Sequence, residues 1–131
     1  MFPGSLAGLP KDMPTLPQLL RQSGYSAHMV GKWHIGYSQW SQTPVGRGFE
    51  SHVGGYKWDL ESYKKQMYNG GPALMPFNDR DWGRYFENGT YHHFADPRHA
   101  TIAITEEAKE KMNNHDGDKP LFLYVRQGLF N

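Results

Sequence analysis

GYSAHMVGKWHIG, residues Gly24 to Gly36, carries an apolar stretch between glycines and then a short basic segment closed by another glycine. Tyr25 to Val30 has the length and apolar content of a buried strand. Upstream, Thr15-Leu16-Pro17-Gln18 has the spacing of a capping box, with Thr15 as N-cap and Gln18 at the third helical position. Pro17 is tolerated there because first-turn amides have no intrahelical partner. Leu16, Leu19 and Leu20 form an apolar stripe, and Gly24 is a natural stop. The pattern predicts a helix over 15–23 delivering the chain into a strand over 25–30, with Gly31 to Gly36 as the loop at its end.

The same grammar recurs near the other end. Thr101 is expected to cap a helix running to about Asn114, with Ile104, Ala108 and Met112 on its buried face and Glu107 and Lys111 paired on its exposed face. Asp116-Gly117-Asp118-Lys119-Pro120 ends it, and Leu121 to Val125 reads as a buried strand that needs neighbours. Helices feeding buried apolar strands predict an α/β fold with a mostly parallel sheet. Residues 37–97 mix Gly, Pro, Asn and aromatics without clean periodicity, which predicts long connections and short strands.

Composition narrows the function classes. The chain has 131 residues, 37% hydrophobic and 15% aromatic, enough for one globular core. Fourteen basic and 13 acidic residues are interspersed, leaving a formal net charge of +1 and no basic stripe for nucleic acid. No apolar run is long enough for a membrane span. There is no cysteine, so the chain itself has no disulfide, no thiolate ligand and no Cys-derived nucleophile. Met1-Phe2-Pro3-Gly4-Ser5 lacks the basic-then-apolar order of a signal peptide.

Lys32 and His34 are the residues with the clearest chemical potential. In extended backbone, residues two apart point to the same side. Both would then project from a strand end while Trp33 turns into the core. A cation beside an imidazole at the carboxyl end of a strand suits a cluster of anionic oxygens. On spacing alone, the alternative is a surface lysine and a satisfied histidine flanking a core tryptophan.

Three ordered segments add a resemblance. Thr15-Leu16-Pro17-Gln18-Leu19-Leu20 followed by Gly24-Tyr25 and Gly31-Lys32-Trp33-His34-Ile35-Gly36 resembles the second signature of the type I sulfatase family, of the arylsulfatase B kind. Arg47-Gly48-Phe49-Glu50-Ser51 resembles that family's RGFD segment, with Glu50 for Asp, and Lys119-Pro120-Leu121-Phe122-Leu123-Tyr124 resembles its KPLFLY strand. The resemblance implies an alkaline-phosphatase-like sandwich around a central mixed, mostly parallel sheet, with residues 1–131 forming only part of a catalytic domain. It implies hydrolysis of sulfate esters on small molecules or glycosaminoglycan sugars, in a lysosomal or secreted protein. Lys32 is then the sulfate-binding lysine, and His34 the histidine that hydrogen-bonds the formylglycine and assists proton transfer. A fixed ammonium and an imidazole would offset the charge that sulfuryl transfer places on the oxygens.

Several family features do not occur in these residues. The Cys-x-Pro-Ser-Arg element whose Cys becomes formylglycine is absent, as are the paired Asp residues and the Asp-Asn pair that hold calcium. Calcium ligands and formylglycine are therefore expected outside this chain, and no metal ligand within it. Phe130 stands where the family has a second sulfate-contacting His. The alternative to an enzyme segment is a truncated, non-catalytic sulfatase-like product; phosphoester or phosphonate hydrolysis on the same fold is a third reading.

Asn88-Gly89-Thr90 is a sequon, and equally an ordinary Asn-Gly turn. His92, His93 and His99 with Asp96 lack ligand spacing, since adjacent histidines in a strand point apart. Tyr56, Trp58, Tyr63, Tyr68 and Trp82 suit either a sugar cleft or core beneath long loops.

Overall fold

The structure is a computed structural model, and it describes residues 8–36, 38–55, 82–86, 91–93 and 100–127, with the side chains of 82–86, 91–93, 100 and 101 not described. Helix α1 (Leu16–Gln22) leads into strand β1 (Ser26–Gly31). Two 3-10 turns, Trp40–Gln42 and Val45–Arg47, precede β2 (Ser51–Gly55). Strands β3 (Trp82–Phe86) and β4 (Tyr91–His93), helix α2 (Ala100–Asn113) and strand β5 (Leu121–Arg126) follow.

Local signals explain the start of this order. The Thr15 amide donates to Gln18 Oε1 at 3.0 Å, the reciprocal half of the capping box. At the other end of α1, Gly24 has φ 87°, its amide donates to Arg21 O, and the Tyr25 amide donates to Leu20 O. That pair of bonds is the Schellman arrangement, which needs a residue free to take positive φ. The chain is thus turned straight into β1.

The sheet order is β4-β3-β2-β1-β5. β1 pairs in parallel with β2 (Met29 beside His52) and with β5 (Met29 beside Tyr124). β2–β3 and β3–β4 are antiparallel. The described sheet is therefore mixed, with a parallel centre and an antiparallel extension on the β2 side.

Alternation along β1 builds two cores. Ala27 and Met29 face Trp33, Val45 and Phe49, with Phe122 of β5 against them. Val30 points the other way, toward Val53 and the α2 residues Ala103 and Ile104, with Leu123 alongside. Trp33 meets Phe49 edge-on, centroids 6.3 Å apart, and Phe49 stacks on Phe122 at 6.1 Å. Each large side chain so buried contributes roughly 1.5–3 kcal/mol before entropy is counted.

Four expectations are corrected. Leu16 and Leu19 are 56% and 49% exposed, and the buried residue of α1 is Pro17. In α2 the covered face is Ala103, Ile104, Glu107 and Ala108, while Met112 is 53% exposed. Lys111 and Asn114, in and just after the last turn of α2, border a polar hollow shared with Ser26 and His28 of β1, so polar groups rather than core face β1 there. Glu107, expected outside, is buried at 8% exposure. Finally, β5 is an edge of the described sheet. Leu121 to Leu123 are only half-buried, and Tyr124 and Val125 are exposed.

Candidate functional site at the carboxyl ends of the parallel strands

The Gly31–Gly36 loop lies where β1, β2 and β5 all end. The Trp33 amide donates to Gly55 O of β2 at 3.0 Å. Arg126 Nη1, at the end of β5, donates to Trp33 O at 3.3 Å. The Trp33 indole Nε1 donates to Gly36 O and Gln42 O, each at 2.8 Å. One buried tryptophan is thus tied to both neighbouring strands and to the far end of its own loop. Lys32 and His34 flank it on either side in sequence, both half-buried. The carboxyl edge of a parallel sheet is where α/β proteins gather ligand-binding groups.

The backbone here is not extended. Gly31 and Gly36 have φ 111° and 122°, and His34 has φ 73°. The two-residue periodicity that placed Lys32 and His34 on one side therefore does not apply, and the anchored Trp33 fixes their placement instead. Among the described residues His34 is the non-glycine with positive φ. Such a conformation costs on the order of 1–3 kcal/mol, persists only where surroundings impose it, and clusters at functional sites.

Other polar residues gather at the opposite end of the strands. His28 Nδ1 lies 2.7 Å from Ser51 Oγ, and its Nε2 is 3.7 Å from Glu50 Oε2. Glu50 also lies 3.7 Å from Arg21 Nε. Burial, followed by the nearby Lys111 charge, lowers the His28 pKa, and Glu50 opposes that shift. Beside it is a polar hollow of about 400 Å³ lined by Ser26, His28, Glu107 and Lys111 among others. His28 is thus separated from the Lys32–His34 loop by the remaining length of β1, about 10 Å to Gly31.

Two buried groups have structural roles that the sequence did not assign: Arg47, known there only as part of the RGFD-like segment, and His52. Arg47, 2% exposed, donates to the carbonyls of Pro10, Lys11 and Met13 and so ties down the segment before α1. His52, fully buried, sets its Nε2 2.8 Å from Gly31 O. Burial lowers the His52 pKa to about 4. A histidine inside a strand reads as a solvent-facing side chain until a register is known, which is why neither the motif nor the spacing marked it.

Among the described residues no group of three or more His, Cys, Asp or Glu side chains converges as a metal site. The sequence has no cysteine to serve as a formylglycine precursor. Asn88, His99, Asp96, Tyr56, Trp58, Tyr63, Tyr68 and Phe130 lie outside the described residues, and His92, His93 and Trp82 are placed only by their strands.

Fold and site together define an α/β protein with a basic and an imidazole side chain on a pinned loop at the carboxyl edge of its parallel strands. The chain belongs to the sulfatase family, whose pattern it matches over residues 2–128. It is 35% identical to arylsulfatase J of Mus musculus over 121 residues, covering 89% of this chain and 19% of that protein. It is 28% identical to N-acetylgalactosamine-6-sulfatase of Homo sapiens, covering 91% of this chain and 22% of that one. Among solved structures it resembles Ps i-CgsB in complex with k-i-k-neocarrahexaose, at TM-score 0.63 and 28% identity, covering 93% of this chain and 28% of that chain. The PsFucS1 sulfatase from Pseudoalteromonas sp. shares the fold at TM-score 0.65 and 19% identity, covering 92% of this chain and 28% of that one. The chain therefore spans about a fifth of the length of these curated relatives.

Proposed function

We propose that this chain is the sulfate-handling segment of a sulfuric ester hydrolase, part of a catalytic domain completed by residues outside it. Lys32 binds the sulfate oxygens and His34 moves a proton at the reacting centre. The observation that supports this best is the loop itself: Lys32 and His34 flank a tryptophan tied to two strands, and His34 holds a left-handed backbone. Residues pinned in a costly conformation at a sheet's carboxyl edge suit a preorganised site better than a solvated turn.

The sulfatase family uses calcium and formylglycine, and both would come from outside the described residues. When present they supply metal charge and a nucleophilic oxygen. This chain's own contribution is electrostatic and positional: an ammonium for charge on the sulfate oxygens, and an imidazole able to give and take a proton. The name N-acetylgalactosamine-6-sulfatase points to sulfated sugars as the substrate class; the family resemblance extends this to glycosaminoglycans and to a lysosomal or secreted setting, in which Asn88 would be a glycosylation site. No described helix is long and apolar enough to cross a membrane.

The test is kinetic, in the full-length protein carrying this segment, with a chromogenic aryl sulfate. Lys32→Ala and His34→Ala should each lower kcat by about 10²–10³, the usual loss of one preorganised donor. His28→Ala, at the far end of β1, should cost less than about tenfold. Melting curves separate lost folding from lost chemistry. Parent-like turnover in His34→Ala would remove the reading.

A further inference from the structure

Gly31 is the residue at which β1 becomes the Lys32–His34 loop. The β1–β2 pairing ends one residue earlier, at Val30 and Val53. A Cβ on Gly31 would sit 2.0 Å from Arg126 O, so this position has room for glycine alone. Beyond Val53, Gly54 turns to φ 153° and approaches Gly31 so closely that a Cβ there would lie 2.0 Å from the Gly31 oxygen. The Gly31 carbonyl, at this junction, accepts from a side chain as well as belonging to the strand. The donor is His52 Nε2, at 2.8 Å.

The chemistry of that bond is fixed. A carbonyl oxygen only accepts, so Nε2 carries the proton. The ring is fully buried, and burial lowers its pKa to about 4, so it stays neutral at ordinary pH in that one tautomer. His52 also sits beside Met29 in the register, on the face of β1 that packs against Trp33. It therefore meets the hinge of the loop directly, from the face of the sheet that also carries the core beneath the loop's anchor.

We propose that His52 is a positioning residue for the sulfate-handling loop: its Nε2–H holds the Gly31 carbonyl and thereby sets the turn from which Lys32 and His34 project. This rests on the assignment of Lys32 and His34 to sulfate. His52 does not touch the ligand, and it acts through one peptide group. The angle of that peptide decides where the next residues go, and a displacement of about 1 Å at a preorganised site costs up to about 10²-fold.

The probe is inorganic sulfate, its affinity measured by calorimetry in the full-length protein, with melting curves on every variant. Four substitutions are needed: Lys32→Ala, His52→Leu, His52→Gln and His52→Asn. Glutamine places an amide N–H at about the reach of Nε2; asparagine stops short, and leucine fills similar space with no donor. His52→Leu should weaken sulfate binding by the folded protein about tenfold, and His52→Gln should stay within about twofold of the parent. A purely structural His52 predicts a lowered Tm with unchanged affinity in the folded fraction, and that result would overturn the proposal. If His52→Leu does not fold, the Gln and Asn variants decide. Parent-like affinity in Gln with loss in Asn supports the positioning role; equal behaviour of the two refutes it. Lys32→Ala separates the two levels. Unchanged affinity there sinks the sulfate assignment itself, whereas a loss there beside a parent-like His52→Leu sinks only the role of His52.

Discussion

A histidine taken out of water must stay neutral or find a charge partner. His52 takes the first course, neutral beneath the Gly31 turn, and its pKa falls from 6.5 to about 4. His28 also shifts downward, for burial first and the Lys111 charge next. Above pH 6.5 neither the folded nor the unfolded chain protonates these rings appreciably, so their stabilising contribution is fully present. As pH falls, the unfolded chain takes protons first, and for His52 the folded chain resists until about pH 4, so stability drains away across that window. A downward shift of this size at a fully buried site corresponds to on the order of 3 kcal/mol for His52. Denaturant unfolding at steps between pH 7.5 and 4.5 should show the decline, and His52→Gln should flatten it. Parallel pH curves for parent and variant would show that His52 does not titrate in this way. Residue by residue, the sequence marked Lys32 and His34 because glycines and a motif frame them. It left His52 unmarked because only the register of β1 against β2 shows which carbonyl that ring meets.

Elements were legible where their ends are chemically coded. Thr15, Gln18 and Gly24 bound α1 by side-chain capping and by a left-handed glycine, both local events. The buried faces were less legible, because burial depends on the partner. Leu16 and Leu19 look like core until the helix is seen resting on Pro17, and Met112 keeps core spacing yet is exposed. The cap of α1 also has a tertiary role that spacing could not show: Thr15 Oγ1 donates to Arg47 O at 2.6 Å, joining α1 to the turn before β2. Thr15→Ala should therefore cost about 1–2 kcal/mol, toward the upper end for a cap because a second hydrogen bond is lost with it. Thr15→Ser, which keeps the hydroxyl, should recover most of that. Chemical denaturation measures both, and a serine variant as unstable as the alanine variant would count against the hydroxyl.

At the scale of the molecule, pairing of strands distant in sequence lies beyond local pattern. The run Leu121 to Val125 reads as a fully buried strand, yet β5 is an edge of the described sheet with Tyr124 and Val125 exposed. An uncovered strand edge of this kind is a site of association unless something pairs with it. The α/β class was legible because two helices each feed an apolar run; the antiparallel extension through β3 and β4 was not, because residues 37–97 carry no clean period. The same scale governs activity. The 131 residues include Lys32 and His34 but no cysteine, and no trio of His, Cys, Asp or Glu converges among the described residues. Charge-stabilising groups lower a barrier only when an attacking group is present, since nucleophile and donors act as a unit. The 131-residue chain alone, assayed with added calcium against a chromogenic aryl sulfate, should turn over no faster than its own Lys32→Ala variant. It should still bind inorganic sulfate more tightly than that variant if its loop is formed, because binding needs the ammonium and the pinned backbone but no nucleophile. Calcium-dependent hydrolysis by the chain alone, abolished in Lys32→Ala, would show that the attacking group lies within these residues and would overturn the segment reading.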